Sequence, residues 1–567
     1  MDRNLLMAFA LSFLVLYLWS ATQPRPVPPG EEPGAVVAEA PTEQAPKTGA
    51  QARYPELPAA LPADPSGPPG APGGAAPSLA APADAEIVEI QTPLVEARFS
   101  SRGAALVGWV LREGRYTDRF GDPIRLAEPS DLAATASTPF FELGLGDLSQ
   151  AIWNLEHQSS EQVRFGIQRE GVSITKTFYM LGGYSYRLHI EVSNGSQNAI
   201  APAFLVELPI QERPGNDFRE QSAAALHEGE LEQTPLAGLG GGGIFGWLSG
   251  AKAGEPERYD REVDWAGVNA PYFLMAHFPD RPAAARAQFV SLEGAGQSGA
   301  IQLFYDPVSL ASGQRQDREY RAYLGPKEVE RLEDFAPSAV EAIDLGWSFI
   351  APLTRGFTWL LAVLYSFVPN YGLAIILLTV MVRLVTAPLT MKQMKSMERM
   401  RTLQPKLKEI QEKFADDRQK QSEAMMALYR QEKVNPLGGC FPMLLQLPVF
   451  IGLFWALRGS IQLRHAPFVA WIDDLSAPDL LFTLPGIEFP VRVLPILMGG
   501  SMVLQQKITP MQVDPAQAKM MLILMPIMMT VISYTFPSGL VLYWMLSNVL
   551  AIGHQLWVGR GMRPAAD

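Results

Sequence analysis

One arginine stands inside an apolar run. Arg383 lies in LLTVMVRLVTAPLT, and counting from Tyr371 places it roughly 18 Å into a hydrocarbon layer of about 30 Å. A charge at that depth costs roughly 2.5 to 3.5 kcal/mol on insertion scales unless something solvates it. Two accounts compete. Arg383 either snorkels to the nearer interface or faces a water-filled cavity. The cavity is favoured because Thr379 lies one turn earlier on the same helical face, and the other apolar runs bring Gln446, Gln505, Ser533, Tyr534, Tyr543, Ser547 and Asn548. Several of these serve equally well as hydrogen-bonding glue between helices.

The chemistry the sequence lacks narrows the function class. The apolar runs after Tyr371 hold no Asp, Glu or His in their cores apart from His554 near the end of the last. Ion-coupled transporters place such groups there to bind the coupling ion, so a small-solute transporter or channel is the alternative rather than the first reading. Ser and Thr occur without an adjacent general base. The 6 histidines are scattered and Cys440 is the single cysteine, so neither a disulfide nor a zinc site is indicated. Gly238 to Gly243 is followed by no G-K-[ST] and reads as a loop rather than a phosphate cradle. No cofactor, no metal and no enzymatic step is implied. Of 22 methionines, 18 follow Tyr371, including Met498, Met502, Met520, Met521, Met525, Met528 and Met529. Thioethers fill irregular gaps, and they also make adaptable surfaces for varied apolar partners, for which Met521, Met525, Met528 and Met529 are the candidates.

The elements that must position these residues follow from composition. From Gly346 onward there are 20 Lys+Arg against 13 Asp+Glu, leaving 26 against 45 before it. An acidic first part and a basic, apolar last part argue for two compartments and against direct nucleic-acid binding. Residues 1–21 read as an uncleaved transmembrane anchor, since no A-x-A site follows LLMAFALSFLVLYLWSA. Residues 22–84 are a flexible Pro/Ala/Gly-rich tether. Residues 85–345 alternate with period two, most clearly where Tyr186, Leu188, Ile190 and Val192 interleave with Arg187, His189, Glu191 and Ser193 before the turn pair Asn194-Gly195. Similar runs at Glu86 to Ser100, Val172 to Met180, Phe204 to Ile210, Gln288 to Glu293 and Ala300 to Tyr305 predict an all-β sandwich.

Residues 346–370 read as an amphipathic interfacial segment. Spans follow at Tyr371 to Leu389, Pro436 to Leu457, Val491 to Ile508, Ala518 to Thr535 and Ser538 to Val558, giving a five-helix core over 371–558 and, with the anchor, six spans. Between the first two of these five, 392–433 holds Met400, Leu403, Leu407, Ile410 and Phe414 at helical spacing and then Tyr429 on a second stripe. It predicts a cytoplasmic helical hairpin that either merely connects spans or serves as a docking arm. That segment carries 11 Lys+Arg against 7 Asp+Glu, whereas Ile461 to Pro490 has Arg464 against Asp473, Asp474, Asp479 and Glu488. Positive charge marks the cytoplasm, so both chain ends, including the tail 559–567, are placed inside and the β-region outside.

Three stretches carry a family resemblance. Thr379 to Arg383 with Pro388-Leu389-Thr390, Asn435 to Pro442 with Gln446 and Pro448, and Phe536 to Trp544 with Ser547-Asn548 and Gln555 resemble YidC insertases over Trp347 to Trp557. The anchor, tether and exported β-region are similar in layout to the forms with a large periplasmic domain. The resemblance implies an inner-membrane insertase and chaperone whose five helices enclose a hydrophilic groove, open to the cytoplasm and to lipid and closed toward the periplasm. By position, Arg383 would be its groove arginine, Thr379 a polar neighbour and Tyr543 a substrate-contacting tyrosine; the β-region would be a supersandwich. Implied partners are nascent membrane proteins, the lipid bilayer, the Sec translocon, and the signal recognition particle pathway or ribosome. A departure is the short tail after Val558 with only Arg560 and Arg563, where some relatives carry strongly basic ribosome-binding tails.

The charge pattern makes a direct topological prediction. With Cys440 replaced, a cysteine at Ser193 should react with an impermeant thiol reagent from the periplasmic side, and one at Ser422 only after the cytoplasmic side is opened. The reverse pattern overturns the orientation.

Overall fold

The computed structural model describes residues 85–561 apart from positions 119, 129–133, 214–217, 219–220, 237–256, 292–297, 415–416, 433–440, 485–488 and 509–514. The expected anchor (1–21) and tether (22–84), the Gly238–Gly243 loop and most of the tail lie outside the described residues. The chain divides into two compact units, Thr48–Asp344 and Leu345–Asp567 with Met1–Lys47.

The first unit is built from three antiparallel sheets. One is a four-stranded meander of β1 (Ile87–Gln91), β2 (Val95–Ser100), β3 (Ala105–Leu111) and β4 (Arg125–Ala127). The run from Glu86 to Ser100 is thus two strands, broken where Pro93 cannot donate to a ladder and Thr92 N–H bonds the Val95 carbonyl at 2.8 Å. The chain then lays down β5 (Asn154–Gln158), β6 (Gln162–Arg169), β7 (Val172–Gly182), β8 (Ser185–Asn194), β9 (Val206–Gln211), β10 (Ser222–His227) and β11 (Glu230–Pro235). After these come β12 (Glu257–Tyr259), β13 (Val263–Asn269), β14 (Phe273–Pro279), β15 (Ala285–Ser291), β16 (Ser298–Tyr305) and β17 (Arg315–Pro326). A nine-stranded sheet has the order β11-β10-β13-β14-β17-β8-β7-β6-β5, and a second four-stranded sheet the order β12-β15-β16-β9.

Register shows how they pack. Tyr186 pairs with Ala322 and Leu188 with both Tyr320 and Phe178, so these side chains share one face of the large sheet. Phe99 and Trp109 of the first sheet meet that face at Phe178 and Tyr186, with ring centroids 4.7 and 5.7 Å apart. Tyr305 of the other small sheet meets it at Tyr320, 5.9 Å away. Both small sheets therefore cover the same face. The opposite face carries Arg187, His189, Glu191 and Glu319, which explains the sequence alternation. Helix α1 (Val329–Phe335) packs on that second face through Phe335, 5.0 Å from Phe278 and 5.3 Å from Tyr323.

The buried face also holds polar groups with specific partners. Lys176 is fully buried and donates to the carbonyls of Ala136 (2.7 Å) and Gly103 (3.2 Å), tying β7 to the covering chain. Tyr186 Oη and His277 Nε2 are 2.8 Å apart. Burial, helped by the nearby Lys176, pushes the His277 imidazole down from 6.5 to about 3.

The second unit is helical. It contains α2 (Ala351–Phe367), α3 (Tyr371–Lys413), α4 (Arg418–Gln431), α5 (Phe441–Arg458), α6 (Val493–Ile508), α7 (Pro515–Ser533) and α8 (Ser538–Gly561), with a hairpin of β18 (Phe482–Leu484) and β19 (Phe489–Val491) before α6. The expected first span does not end at Leu389. No glycine cap follows it, so α3 runs on without a break as the first arm of the hairpin with α4. Among the described residues, two helices are long and apolar enough to cross a membrane by themselves, Tyr371–Pro388 and Ser538–Trp557; Leu447–Arg458 and Leu522–Ser533 are shorter apolar stretches. One core joins them, including Phe357 of α2, Ala374 and Ile375 of α3, Leu453 and Leu457 of α5, Met498 of α6 and Leu540 of α8. Leu463, Ile472 and Leu475 from the loop between α5 and β18 enter the same core. There Gly372 lets Phe468 approach so closely that a Cβ would lie 2.0 Å from the ring.

His277 yields a prediction for the first unit. Its folded pKa lies below the unfolded one, so the unfolded chain takes up the proton first: the contribution is full above pH 6.5 and declines as pH falls toward 3. The slope should be about 1.4 kcal/mol per pH unit inside that window. Denaturant unfolding followed by tryptophan fluorescence at several pH values should show this loss, and His277→Gln should flatten it. An unchanged slope in the variant assigns acid sensitivity to other groups.

Candidate functional site

The polar side chains of the helical unit gather where α3, α8 and α6 meet. Arg383, on α3, is half-buried and donates through Nε to Ser547 Oγ on α8 at 2.9 Å, and through Nη2 to the same oxygen. Asn548, adjacent on α8, donates to Ser501 Oγ on α6 at 3.1 Å. Ser501 in turn donates to the Met498 carbonyl one turn earlier, at 2.6 Å. Two hydrogen bonds from adjacent residues of α8 thus link three helices, one to the guanidinium on α3 and one to Ser501 on α6. Among the described residues no carboxylate pairs with Arg383, so its charge is offset by dipoles alone. Ser547 and Asn548 are buried.

The other expected groove residues are placed less uniformly. Tyr543, one turn before Ser547, is buried beside Phe450 of α5, with ring centroids 6.5 Å apart, and lies close enough to interact electrostatically with Arg383. Thr379 is fully buried but donates to the Ile375 carbonyl of its own helix at 2.6 Å. Gln505 is half-buried on α6, while the Gln446 side chain lies outside the described residues. Ser533 and Tyr534 do not join the cluster. Ser533 bonds the Thr530 carbonyl at 3.2 Å, and Tyr534, past the end of α7, donates to the Pro490 carbonyl and lies beneath the Arg492 guanidinium, 4.7 Å from its ring centroid. Both sit at the C-terminal end of α7, where sequence position alone did not separate end from middle.

Two further expectations change. The exposed stripe of α7 is Ile523, Leu524, Ile527 and Val531, whereas Met525, Met528 and Met529 are half-buried and Met525 Sδ accepts from Gln506 of α6 at 3.9 Å. Met525 and Met529 thus contact neighbouring helices, Met529 through the shared core, where the flexible thioether fits; Met521's side chain is outside the described residues. In the α3–α4 hairpin, Leu407 and Tyr429 pack on buried Leu403, and Ile410 and Phe414 are half-buried. That stripe is at least partly the seam between the two arms rather than a free docking face, and an ion pair of Lys406 with Glu432 at 2.6 Å closes it. Met400's side chain is not described.

Ser501 was missed from sequence. Its signal was the small-residue run Gly499-Gly500-Ser501, the kind of run that lets helices approach. A Cβ on Gly499 would lie 2.1 Å from Thr530 Oγ1, so α6 and α7 touch there. Among the described residues no group of three or more His, Cys, Asp and Glu could hold a metal.

Comparison with known proteins agrees across both units. Residues 87–360 match the family model described as the YidC periplasmic domain, and residues 363–565 that of the 60Kd inner membrane protein. A membrane protein insertase YidC from Pelobacter propionicus is 33% identical, covering 99% of this chain and 99% of the relative. One from Geobacter metallireducens is 34% identical, covering 100% and 99%. A crystal structure of an active YidC insertase with its first transmembrane domain resolved is 18% identical, covers 82% of this chain and 91% of its own, and superposes with a TM-score of 0.34.

The bond between α3 and α8 predicts the effect of removing its hydroxyl. Ser547→Ala leaves the half-buried guanidinium without its side-chain acceptor and should destabilise the helical unit by about 1.5 to 3 kcal/mol. Ser533→Ala, whose hydroxyl serves only its own helix, should cost less. Thermal unfolding in nanodiscs measures both, and equal effects would show that the cross-helix bond is not special.

Proposed function

This chain belongs to the YidC family of membrane protein insertases, and from that premise we propose that the Arg383–Ser547–Asn548–Ser501 chain is the polar lining along which a substrate's translocated end enters the membrane. It is an insertase with a periplasmic β-rich domain, acting on membrane proteins in the inner membrane. The observation that carries the finer reading is a half-buried guanidinium, in mid-span by sequence count, bonded to a hydroxyl and to no carboxylate among the described residues. Such a group retains electrostatic reach for an incoming acid and draws water into the site. Water and dipoles along the path lower the desolvation cost that otherwise blocks a polar segment.

The rest of the reading follows the same logic. The helices from α3 and α5 to α8 form a five-span core, both chain ends are cytoplasmic, and Thr379, Gln446, Gln505 and Tyr543 flank the polar chain. The apolar part of a substrate leaves sideways across the exposed face of α7, stabilised by roughly 25 cal/mol for each Å² of apolar surface buried. Partitioning supplies the driving force, so neither nucleotide nor enzymatic step is needed. Nascent chains reach the site alone or beside the Sec translocon, from the ribosome or the signal recognition particle pathway.

Insertion yields of paired substrates with acidic and neutral translocated segments test this. Arg383→Ala should lower the yield of the acidic substrate about fivefold or more, since the lost attraction is worth about 1 to 4 kcal/mol in a partly wet site. Arg383→Lys should retain much of it, because an ammonium attracts acids too. Failure of both variants assigns the role to the planar fork of guanidinium. Equal yields for wild type and Arg383→Ala on both substrates, at matched protein levels, remove Arg383 from the mechanism.

A further inference from the structure

The hairpin β18–β19 presents apolar side chains outward although it is firmly held at its base. Phe482 pairs with Val491, Thr483 with Pro490 and Leu484 with Phe489. Phe482 is 49% exposed and Phe489 48%, and Leu480, Leu481 and Leu484 are exposed beside them. Its base is fixed by buried Asp479, whose Oδ2 accepts from Trp471 Nε1 (3.0 Å) and from the first amides of α6, Val493 (2.8 Å) and Leu494 (3.0 Å). Tyr534 adds its bond to the Pro490 carbonyl and stacks on Phe489 at 5.8 Å. Nothing about this arrangement is slack, so the outward apolar face is a built feature. A two-stranded ribbon is marginal in water by itself.

Helix α6 explains what such a face is for. It has 16 residues, about 24 Å of rise against a hydrocarbon layer of about 30 Å. Its far end is polar, with Gln505, Gln506 and Lys507, so the shortfall cannot be made up there. At its other end the apolar surface continues from exposed Ile496 and Leu497 to the hairpin, joined through Arg492. We propose that the β18–β19 hairpin is a membrane-docking element: its Leu480, Leu481, Phe482, Leu484 and Phe489 face lies in the outer-leaflet interface against lipid, completing the apolar height that α6 lacks. Hydrocarbon does not tolerate the open edges of a two-stranded ribbon, so the hairpin lies at the headgroup and upper acyl level rather than deeper. Membership of the outer leaflet rests on the orientation read above; contact with lipid does not.

Single cysteines at Phe482, Leu484 and Phe489, all exposed positions, with Asp473 as an exposed reference, would be introduced with Cys440 replaced by serine. Each would be labelled with an environment-sensitive fluorophore in nanodiscs of phosphatidylcholine and phosphatidylglycerol. Nitroxide-bearing lipids, with the nitroxide high on the acyl chain, should quench the three hairpin labels and spare the one at Asp473. An aqueous nickel chelate should do the opposite. Hairpin labels that behave as the Asp473 label does overturn the proposal. Labels quenched by neither agent also overturn it, because protein, a second copy of this chain, would then cover the face. The nitroxide lipid occupies both leaflets, so this readout tests lipid contact whichever way the chain is oriented, and the Ser193 and Ser422 labelling tests orientation separately.

Discussion

A guanidinium cannot be left among lipid-facing helices without partners, and in this chain one serine hydroxyl supplies them. Ser547 accepts from Arg383 while its neighbour Asn548 reaches Ser501, so α8 is held between α3 and α6 by polar contacts and not by apolar packing alone. Lipid is as apolar as leucine, and it gives helices little hydrophobic reason to associate. The specificity of this bundle therefore comes from such bonds and from close approaches, among them Gly499 against Thr530 and Gly372 against Phe468. The loop between α5 and β18 adds a third device. Ser538 and Gly539, at the start of α8, donate backbone N–H bonds to the carbonyls of Ala477 and Leu475, at 2.7 and 2.9 Å, which pins the loop over that end of the core.

The β-rich unit meets the opposite problem, since water surrounds it and burial is its driving force. One face of a nine-stranded sheet takes both smaller sheets, so aromatic area concentrates there, with Trp109, Trp153, Tyr186, Tyr320 and Phe178 all fully buried. Several polar groups inside that layer have partners that fix register. Trp109 Nε1 donates to the Leu324 carbonyl at 2.8 Å, and Glu207 accepts from Ser137 at 2.9 Å and Gln302 at 2.7 Å. Lys176 has no carboxylate partner among the described residues and is held well below its ordinary pKa by loss of water, so it works as a donor to two carbonyls rather than as a salt bridge.

Period and charge made the architecture legible, and direction made the site only half so. Alternation along β8 located a half-buried strand because one face of that strand is solvated, and, α3 apart, the apolar runs gave helix boundaries that differ from the observed ones by a few residues. The continuous α3 escaped notice because a change from apolar to charged composition, beside Pro388, looks like a boundary, yet the helix carries Pro388 and Pro405 inside it and runs on. The methionines of α7 were legible only in part for a related reason. Their number signals an irregular packing surface, but composition does not say which side of a helix they take, and here branched Ile523, Ile527 and Val531 face outward. Tyr534 was a matter of depth: it lies beyond the last turn of α7, where its hydroxyl finds the Pro490 carbonyl instead of the polar chain.

Counting hydroxyls overstates how polar such a bundle is. Thr379, Thr386, Thr390 and Thr530 donate to carbonyls four residues back in their own helices, at 2.6, 2.9, 3.1 and 2.8 Å, and Ser533 bonds Thr530 in the same way three residues back. A hydroxyl satisfied inside its own turn asks nothing of a neighbouring helix or of water. It neither binds helices together nor holds a cavity open. What separates Ser547 and Asn548 from these residues is that each is bonded to a group on another helix, an arginine in one case and a serine in the other. The polar contacts between spans are therefore defined by bonds that cross from helix to helix, and a span rich in threonine presents an otherwise apolar surface.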